Sequence, residues 1–174
     1  LQAQHRVDDK PYGGGAGALI EIEPMYRAIT SIDPENTMKK IYLWPRGERL
    51  KQAKIEQLSK EFQDQDILIL CWHYEGVDHR VFEMFIFEQY SIGDFVVSSG
   101  ELAAMVFIDA VVRLIPGVVW NNKSLHEESF SEALEGKPEY PQYTRPADFM
   151  GYKVPEVLLS GDPKKINEWR KHAG

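Results

Sequence analysis

The sequence holds a single cysteine, Cys71. That excludes an internal disulfide and fits a reducing cytosol, so a cytoplasmic location is expected. No apolar run approaches the roughly 20 residues that a membrane span requires. The opening residues LQAQHRVDDK are polar, and no secretory leader is expected from them. Metal-ligand spacing is lacking as well. His5, His73, His79, His126 and His172 are scattered, whereas zinc sites draw their ligands at short, regular intervals. There is no internal repeat and no low-complexity tract. Cations are the minority, with a formal net charge of −7. This argues weakly against a nucleic-acid partner, because phosphate contacts need Lys and Arg. The basic residues nevertheless gather at Lys39, Lys40, Arg46, Arg49, Lys51 and Lys54, and again at Lys164, Lys165, Arg170 and Lys171. On spacing alone these are solvated helix faces.

What is present is a globular chain of 174 residues, one domain by length and long enough to bury a sizeable core. Its organising stretch runs from Gln89 to Val119. Residues 91–94 read as a turn, 95–97 as a short buried strand and 98–100 as a second turn. An apolar helix follows over 101–114 and stops at Pro116-Gly117. A strand pinched between two glycine turns leaves backbone groups free at its end, where a ligand can use them. The helix is apolar on almost every side, so it is either buried all round or packed against a second subunit. Arg113, near its end, breaks that pattern and calls for an anionic partner.

Taken in order, residues 1–17 read as an irregular loop, VDDKPYGGGAGA at its heart. A domain opening on such a loop is expected to have an earlier strand outside this sequence. Residues 18–23 alternate as a strand, and Pro24 starts a short helix to about residue 30. Residues 40–44 form a second strand, ended by Pro45-Arg46-Gly47. Residues 48–62 form an amphipathic helix. Residues 66–71 are a continuous apolar run suited to a strand covered on both faces. A helix over 78–87 precedes the central stretch. A polar loop spans 120–146, a last short strand 157–161 and a closing helix 163–172. Strands alternating with helices predict an α/β fold whose sheet is largely parallel with helices on both faces. Ligands of such sheets sit beyond the carboxyl ends of the strands. Three of those ends carry glycine-containing loops, at 44–47, 72–76 and 98–100.

The segments HRVDDKPYGGGAG, IYLWPRG, YEGVDHRV, SIGDFVVSSGE, IDAVVRLIPGV, EESF, YTRP, KVPEVLLSG and KINEWR occur in this order and span essentially the whole chain. Together they resemble the catalytic domain of bacterial tRNA (guanine(37)-N(1))-methyltransferase, of the SPOUT superfamily. The resemblance implies a single catalytic domain over 1–174, with a deep trefoil knot in the carboxyl half. It also implies an obligate homodimer with its active site between subunits. Family chains begin with a further strand and end with a small helical domain that helps to grip tRNA; neither is expected within these 174 residues. The implied activity is methylation, from S-adenosyl-L-methionine, of N1 of the guanine beside the tRNA anticodon. Mg2+ is admitted as a second cofactor.

N1 of guanine carries a proton at neutral pH, and a positioned carboxylate can take it. The charge that develops spreads onto O6, where a guanidinium can stabilise it. The family's carboxylate falls on Glu128 and its arginine on Arg113. This chain has glutamate where the family usually has aspartate, which keeps the chemistry and moves the carboxylate outward by one methylene. Read without the resemblance, Glu128 is a solvated acidic loop residue and Arg113 a helix-end ion pair. Cofactor contacts carry over to Pro45, Tyr74, Glu75, Gly76, Ile92, Gly93, Val97 and Gly100. Four positions depart from the family pattern: Trp72 stands at a glycine position, Ser99 at the first glycine of a pair, Ala103 at a proline and Trp44 at a small polar residue. An indole at a glycine position beside a cofactor either diverts the loop or weakens binding.

The glycine run at 13–15 resembles a phosphate-cradling loop but lacks the lysine and serine of one. It reads as a flexible turn, which the family uses near cofactor and RNA. Ser129 has no histidine partner to make it a nucleophile. Under the resemblance the two basic clusters track phosphates while the target base is pulled from its stack. Two rival functions stay open at this level. One is a dimer of the same fold that binds RNA or S-adenosyl-L-methionine without turnover. The other is a metal-dependent hydrolase acting on nucleotides through Glu75, Asp78 and Glu128.

Overall fold

Ile41, Tyr42 and Leu43 are buried in succession, so the strand that holds them is covered on both faces. The computed structural model describes residues 6–118 and 128–173, in two compact units, Leu1–Val119 and Trp120–Gly174. In the first unit, β1 (Asp8–Asp9) pairs antiparallel with β2 (Leu19–Ile20), and α1 spans Ile22–Ile32. Then come β3 (Lys39–Arg49), α2 (Gln52–Glu61), β4 (Ile67–Leu70), α3 (Arg80–Met84), β5 (Glu88–Ser91) and α4 (Gly100–Val112). The sheet is parallel, in the order β4-β3-β5. Its alternating side chains feed two cores. Ile41, Leu43 and Tyr90 meet Ile55, Leu58 and Phe62 of the α2 region and Ala103, Ala104, Phe107 and Val111 of α4. Tyr42, Leu68 and Leu70 meet Met25 and Ile29 of α1 and Val81 of α3. Helices thus cover both faces, as strand–helix alternation predicts.

Several boundaries differ from the sequence reading. Asp8–Asp9 is a strand inside the expected opening loop. The expected strand over 18–23 is short because α1 already begins at Ile22. Pro24 sits within its first turn, where a missing N–H costs nothing, and Met25 and Ile29, four apart, are its buried face. β3 runs on through Pro45-Arg46-Gly47 to Arg49, with a register shift between Leu43 and Glu48. Gly47 makes this continuation feasible: a Cβ there would lie 2.4 Å from the Tyr90 carbonyl carbon. The helix expected over 78–87 is only Arg80–Met84, and the strand that follows is β5. Residues 95–97 form no strand, and Phe95 and Val96 are exposed. β5 takes the central place instead.

The second unit contains a short 3-10 turn (Glu132–Leu134), the hairpin β6 (Asp148–Phe149) and β7 (Tyr152–Lys153), and the helices α5 (Glu156–Leu159) and α6 (Pro163–Ala173). The last strand expected over 157–161 is therefore helical, because Pro155 at its N-cap directs the chain into a turn. The expected loop over 120–146 lies outside the described residues at 120–127. Tyr140 and Tyr143 both meet the Trp169 ring edge-on, at 6.4 and 6.2 Å between centroids. No helix among the described residues is long and apolar enough to cross a membrane.

One buried ion pair belongs to the frame rather than to any RNA surface. The Asp33 and Lys40 side chains are each 2% exposed and bonded to one another. Asp33 also accepts from the backbone N–H of Thr37 (2.8 Å) and Met38 (3.1 Å). The Lys40 ammonium holds the Asp33 carboxyl below the usual carboxylate range, against the opposing effect of burial. The folded chain therefore binds this proton less tightly than the unfolded one. The pair's contribution to stability is full above the ordinary carboxylate pKa, about 4, and fades as pH falls through the folded value. Lys40→Met is expected to lower the thermal midpoint by several degrees at neutral pH, since it strands a buried carboxylate. The gap to the parent should close on acidification. Unfolding followed across pH checks this; a constant gap would contradict it.

Candidate functional site

The β3 segment at its register shift and the loops after β4 and β5 meet in a cleft. It is lined by Leu43, Trp44, Pro45, Trp72, Ser91, Ile92, Gly93, Phe95, Val96, Val97 and Ala103 and is narrow and open to solvent. The walls are almost wholly apolar, so specificity must come from few polar groups. Of the expected cofactor residues, Pro45, Ile92, Gly93 and Val97 line this cleft.

Tyr74, Glu75, Gly76 and Gly100 do not line it, and each has another task. The Glu75 N–H donates to the Ala18 carbonyl (3.1 Å) and the Gly76 carbonyl accepts from Ile20 (3.0 Å), which ties this turn to β2. Tyr74 and Gly76 both take positive φ, +59° and +120°, and a side chain at Gly76 would be strained. Gly100 opens α4 against the end of β4. Its N–H donates to the Trp72 carbonyl (3.0 Å), and a Cβ would lie 2.4 Å from the Trp72 nitrogen. These residues set the shape of the loops rather than the surface of the cleft.

Sequence reasoning raised a clash at Trp72, and the structure shows where its side chain goes. The indole reaches across from the end of β4, and its Nε1 donates to the Leu43 carbonyl at 2.8 Å. It becomes one wall of the cleft. Trp44 forms another, its ring packed against Tyr42 (5.7 Å) and Phe82 (6.5 Å) with the Arg46 guanidinium 5.7 Å from its centroid. The Trp44 Nε1 is buried and has no hydrogen-bond partner among the described residues. A buried donor left in this state weakens the folded chain. Neither indole was read from the sequence as a possible contributor; the signal available was that both stand at strand ends flanked by glycine loops.

Arg113 follows α4 directly, half-buried, with its N–H bonded to the Asp109 carbonyl at 3.1 Å. A cation is favoured there by the helix C-terminus. Glu128, half-buried, belongs to the second unit and begins a turn closed by the Ser131 N–H on its carbonyl (3.0 Å). The Phe130 N–H donates to the Lys137 carbonyl at 2.8 Å, and the Ser129 hydroxyl accepts from the Glu139 N–H at 2.9 Å. The strand of chain that presents Glu128 is thus pinned on its far side. Glu127, beside it in the motif, lies outside the described residues.

The other candidate chemistries lose their residues to local structure. Arg80 donates twice to the Asp78 carboxylate, at 2.9 and 2.7 Å, and its charge holds that carboxyl below the usual range. Glu75 packs over Gly17. Among the described residues no group of three or more His, Cys, Asp or Glu could hold a metal ion. In the first basic cluster Lys40 is buried, Lys39 is paired with Glu61 and Glu88, Arg49 with Asp94 and Lys54 with Glu48. Only Arg46 and Lys51 of that cluster remain as exposed candidates for phosphate. The second cluster lies along α6 or in its first turn, where the Arg170 guanidinium sits 4.7 Å from the Tyr140 centroid.

A family model described as tRNA (Guanine-1)-methyltransferase TrmD matches residues 1–174. The chain is 50% identical over 167 residues to a tRNA (guanine-N(1)-)-methyltransferase of Carboxydothermus hydrogenoformans, covering 96% of this chain and 63% of that protein. It is 47% identical over 169 residues to the tRNA (guanine-N(1)-)-methyltransferase of Clostridioides difficile, covering 95% and 71%. The corresponding protein of Anoxybacillus flavithermus is 49% identical over 167 residues, covering 95% and 66%. The chain thus spans about two thirds of the length of the relatives it matches.

Proposed function

Because the chain belongs to the tRNA (guanine-1)-methyltransferase TrmD family, we propose that it acts as an S-adenosyl-L-methionine-dependent methyltransferase on N1 of the guanine beside the tRNA anticodon. The observation that carries this reading is the apolar cleft where the β3 register shift and the loops after β4 and β5 meet. Its residues suit the donor. Pro45, Ile92, Val97 and Trp72 supply apolar walls of the kind that flank a purine ring. S-adenosyl-L-methionine, when bound, supplies the methyl group. The chain's residues do the rest: Glu128 takes the proton from N1, and Arg113 stabilises the charge that spreads onto O6. No residue among those described points to a role for Mg2+, and no step needs it.

The 174 residues form a single catalytic domain in this proposal, with the family's deep trefoil knot, and two copies make the site. What supports the homodimer is the outer face of α4. Leu102, Met105, Val106, Ile108 and Val112 are all exposed on this chain, up to 66% for Met105, while Ala103, Ala104, Phe107 and Val111 fill its core. An apolar stripe of that length on a helix is a surface awaiting cover. In the dimer, Arg113 of one subunit and Glu128 of the other converge on one purine. Lys164 and Lys171 on α6, with Lys165 beside its Asp162 partner, are placed to meet phosphates. The alternative, a dimer that binds without turnover, rested on the Trp44, Trp72 and Ser99 departures; the family match and the relatives' names favour the enzyme over it.

The test is methyl transfer to unmodified tRNA transcripts. A transcript with guanine beside the anticodon should accept one methyl group, and one with adenine there should accept none. Equal labelling of both would sink the assignment of the target base.

A further inference from the structure

The second unit holds a cavity of its own, about 290 Å3 and open to solvent, with room for one nucleotide. One wall is the segment that carries Lys137 and Tyr140; the other is the last turn of α6, with Arg170, Lys171 and His172. Glu135 is the one carboxylate among the described residues that line it. The helix dipole favours cations in that last turn whatever they face, but it does not account for Lys137 on the other wall. Lys137 and Lys171 are exposed, and neither ammonium has an ion pair among the described residues. The cavity also contains a flat surface already assembled. The Arg170 guanidinium sits 4.7 Å from the Tyr140 centroid, and Trp169 meets the Tyr140 ring edge-on at 6.4 Å. Unstacked bases lie on aromatic rings and guanidinium planes, and lysines beside such planes take the phosphates.

The same wall is tied to the turn that presents Glu128. The Lys137 carbonyl accepts from the Phe130 N–H (2.8 Å), and the Glu139 N–H donates to the Ser129 hydroxyl (2.9 Å). A nucleotide in the cavity is therefore held by chain bonded directly to the segment that carries the assigned base. We propose that the cavity seats a nucleotide of the RNA substrate that flanks the target guanine, its base stacked on the Tyr140–Arg170 pair and its phosphate met by Lys137 and Lys171. This rests on the reading of the chain as a tRNA methyltransferase and deepens it. Stacking accepts every base, so the cavity grips the strand without reading its sequence.

Lys171→Gln changes an exposed side chain. It should raise KM for a guanine-bearing transcript and make the salt dependence of transcript binding shallower by about 0.7 in slope, the share of one phosphate on a single strand. Tyr140→Leu should raise that KM roughly tenfold. Transcripts made abasic at each neighbour of the target guanine in turn should include one that costs the parent as much and costs Tyr140→Leu nothing more. In both variants kcat and the affinity for S-adenosyl-L-methionine should stay at parent values, as should the thermal midpoint of Lys171→Gln. Steady-state kinetics and filter binding across a salt series read these quantities. A fall in kcat at parent KM would make the wall a brace for the Glu128 turn and overturn the proposal. So would parent KM in both variants, or an abasic penalty that Tyr140→Leu shares in full. Free guanosine monophosphate that binds the parent as tightly as the transcript does, and not Lys171→Gln, would make the cavity a site for a free nucleotide and overturn it equally. A parent that methylates no transcript brings down the enzymatic reading; the cavity is then judged by transcript affinity, which both variants must lower for this proposal to stand.

Discussion

Glu128→Gln should cut methyl transfer by about a hundredfold to ten-thousandfold, the range in which a positioned base contributes, and leave the affinity for S-adenosyl-L-methionine unchanged. The amide has the shape of the carboxylate and cannot accept the N1 proton. It keeps the hydrogen-bonding capacity needed by its neighbours, so the turn closed by Ser131 and pinned through Phe130 and Ser129 should survive. Glu128 also lies outside the cleft-lining set, which is why affinity and turnover separate. Single-turnover assays on a guanine-bearing transcript, with cofactor titrations alongside, check both halves. Turnover at the parent rate would place the base elsewhere. A parallel fall in cofactor affinity would show Glu128 to be a binding residue.

Arg113→Met should cost about a hundredfold to a thousandfold in the methyl-transfer rate, as expected when one preorganised group stabilising a developing oxyanion is removed. Methionine preserves the apolar stem of the side chain and the end of α4, whose last turns are closed by Arg113, Leu114 and Ile115 N–H groups on Asp109, Val111 and Val112. Stability measured beside the rate distinguishes a lost charge from a frayed helix. A loss of rate matched by a collapse in the thermal midpoint would make Arg113 structural, and its ordinary position at a helix C-terminus would then account for it.

Much of the architecture was legible in the sequence. Residues 40–44 and the apolar run at 66–71 announced strands, and β3 and β4 are those strands. Helix 101–114 was placed to within two residues. The failures share a cause. Phe95, Val96 and Val97 are strand-forming types, but they follow a strand instead of making one, and two of them face solvent. Short apolar runs carry no label separating a strand from a loop that forms a cleft wall. β5 was missed because Glu88, Gln89 and Tyr90 look polar; its Glu88 carboxylate is met by Lys39 of β3 and its Tyr90 hydroxyl by Glu88 itself, contacts that no local pattern reveals. The site divided in the same way. Loops at three strand ends pointed to the cleft, and four of the eight expected cofactor residues line it. Tyr74, Glu75, Gly76 and Gly100 were grouped with them because glycine turns look alike in sequence, whether a backbone must approach a ligand or another strand. Lys40 looked like part of a basic cluster until burial and Asp33 claimed it.

The claim on which the account turns is that Arg113 and Glu128 reach one purine from different subunits. Mixing the Arg113→Met and Glu128→Gln proteins under conditions that exchange subunits tests it directly. Each variant alone is nearly inactive. If the two residues come from opposite chains, every mixed dimer regains one intact site, and an equal mixture should recover about one quarter of parent methyl transfer to the guanine-bearing transcript. A mixture no more active than its components, with subunit exchange demonstrated, would contradict the shared site.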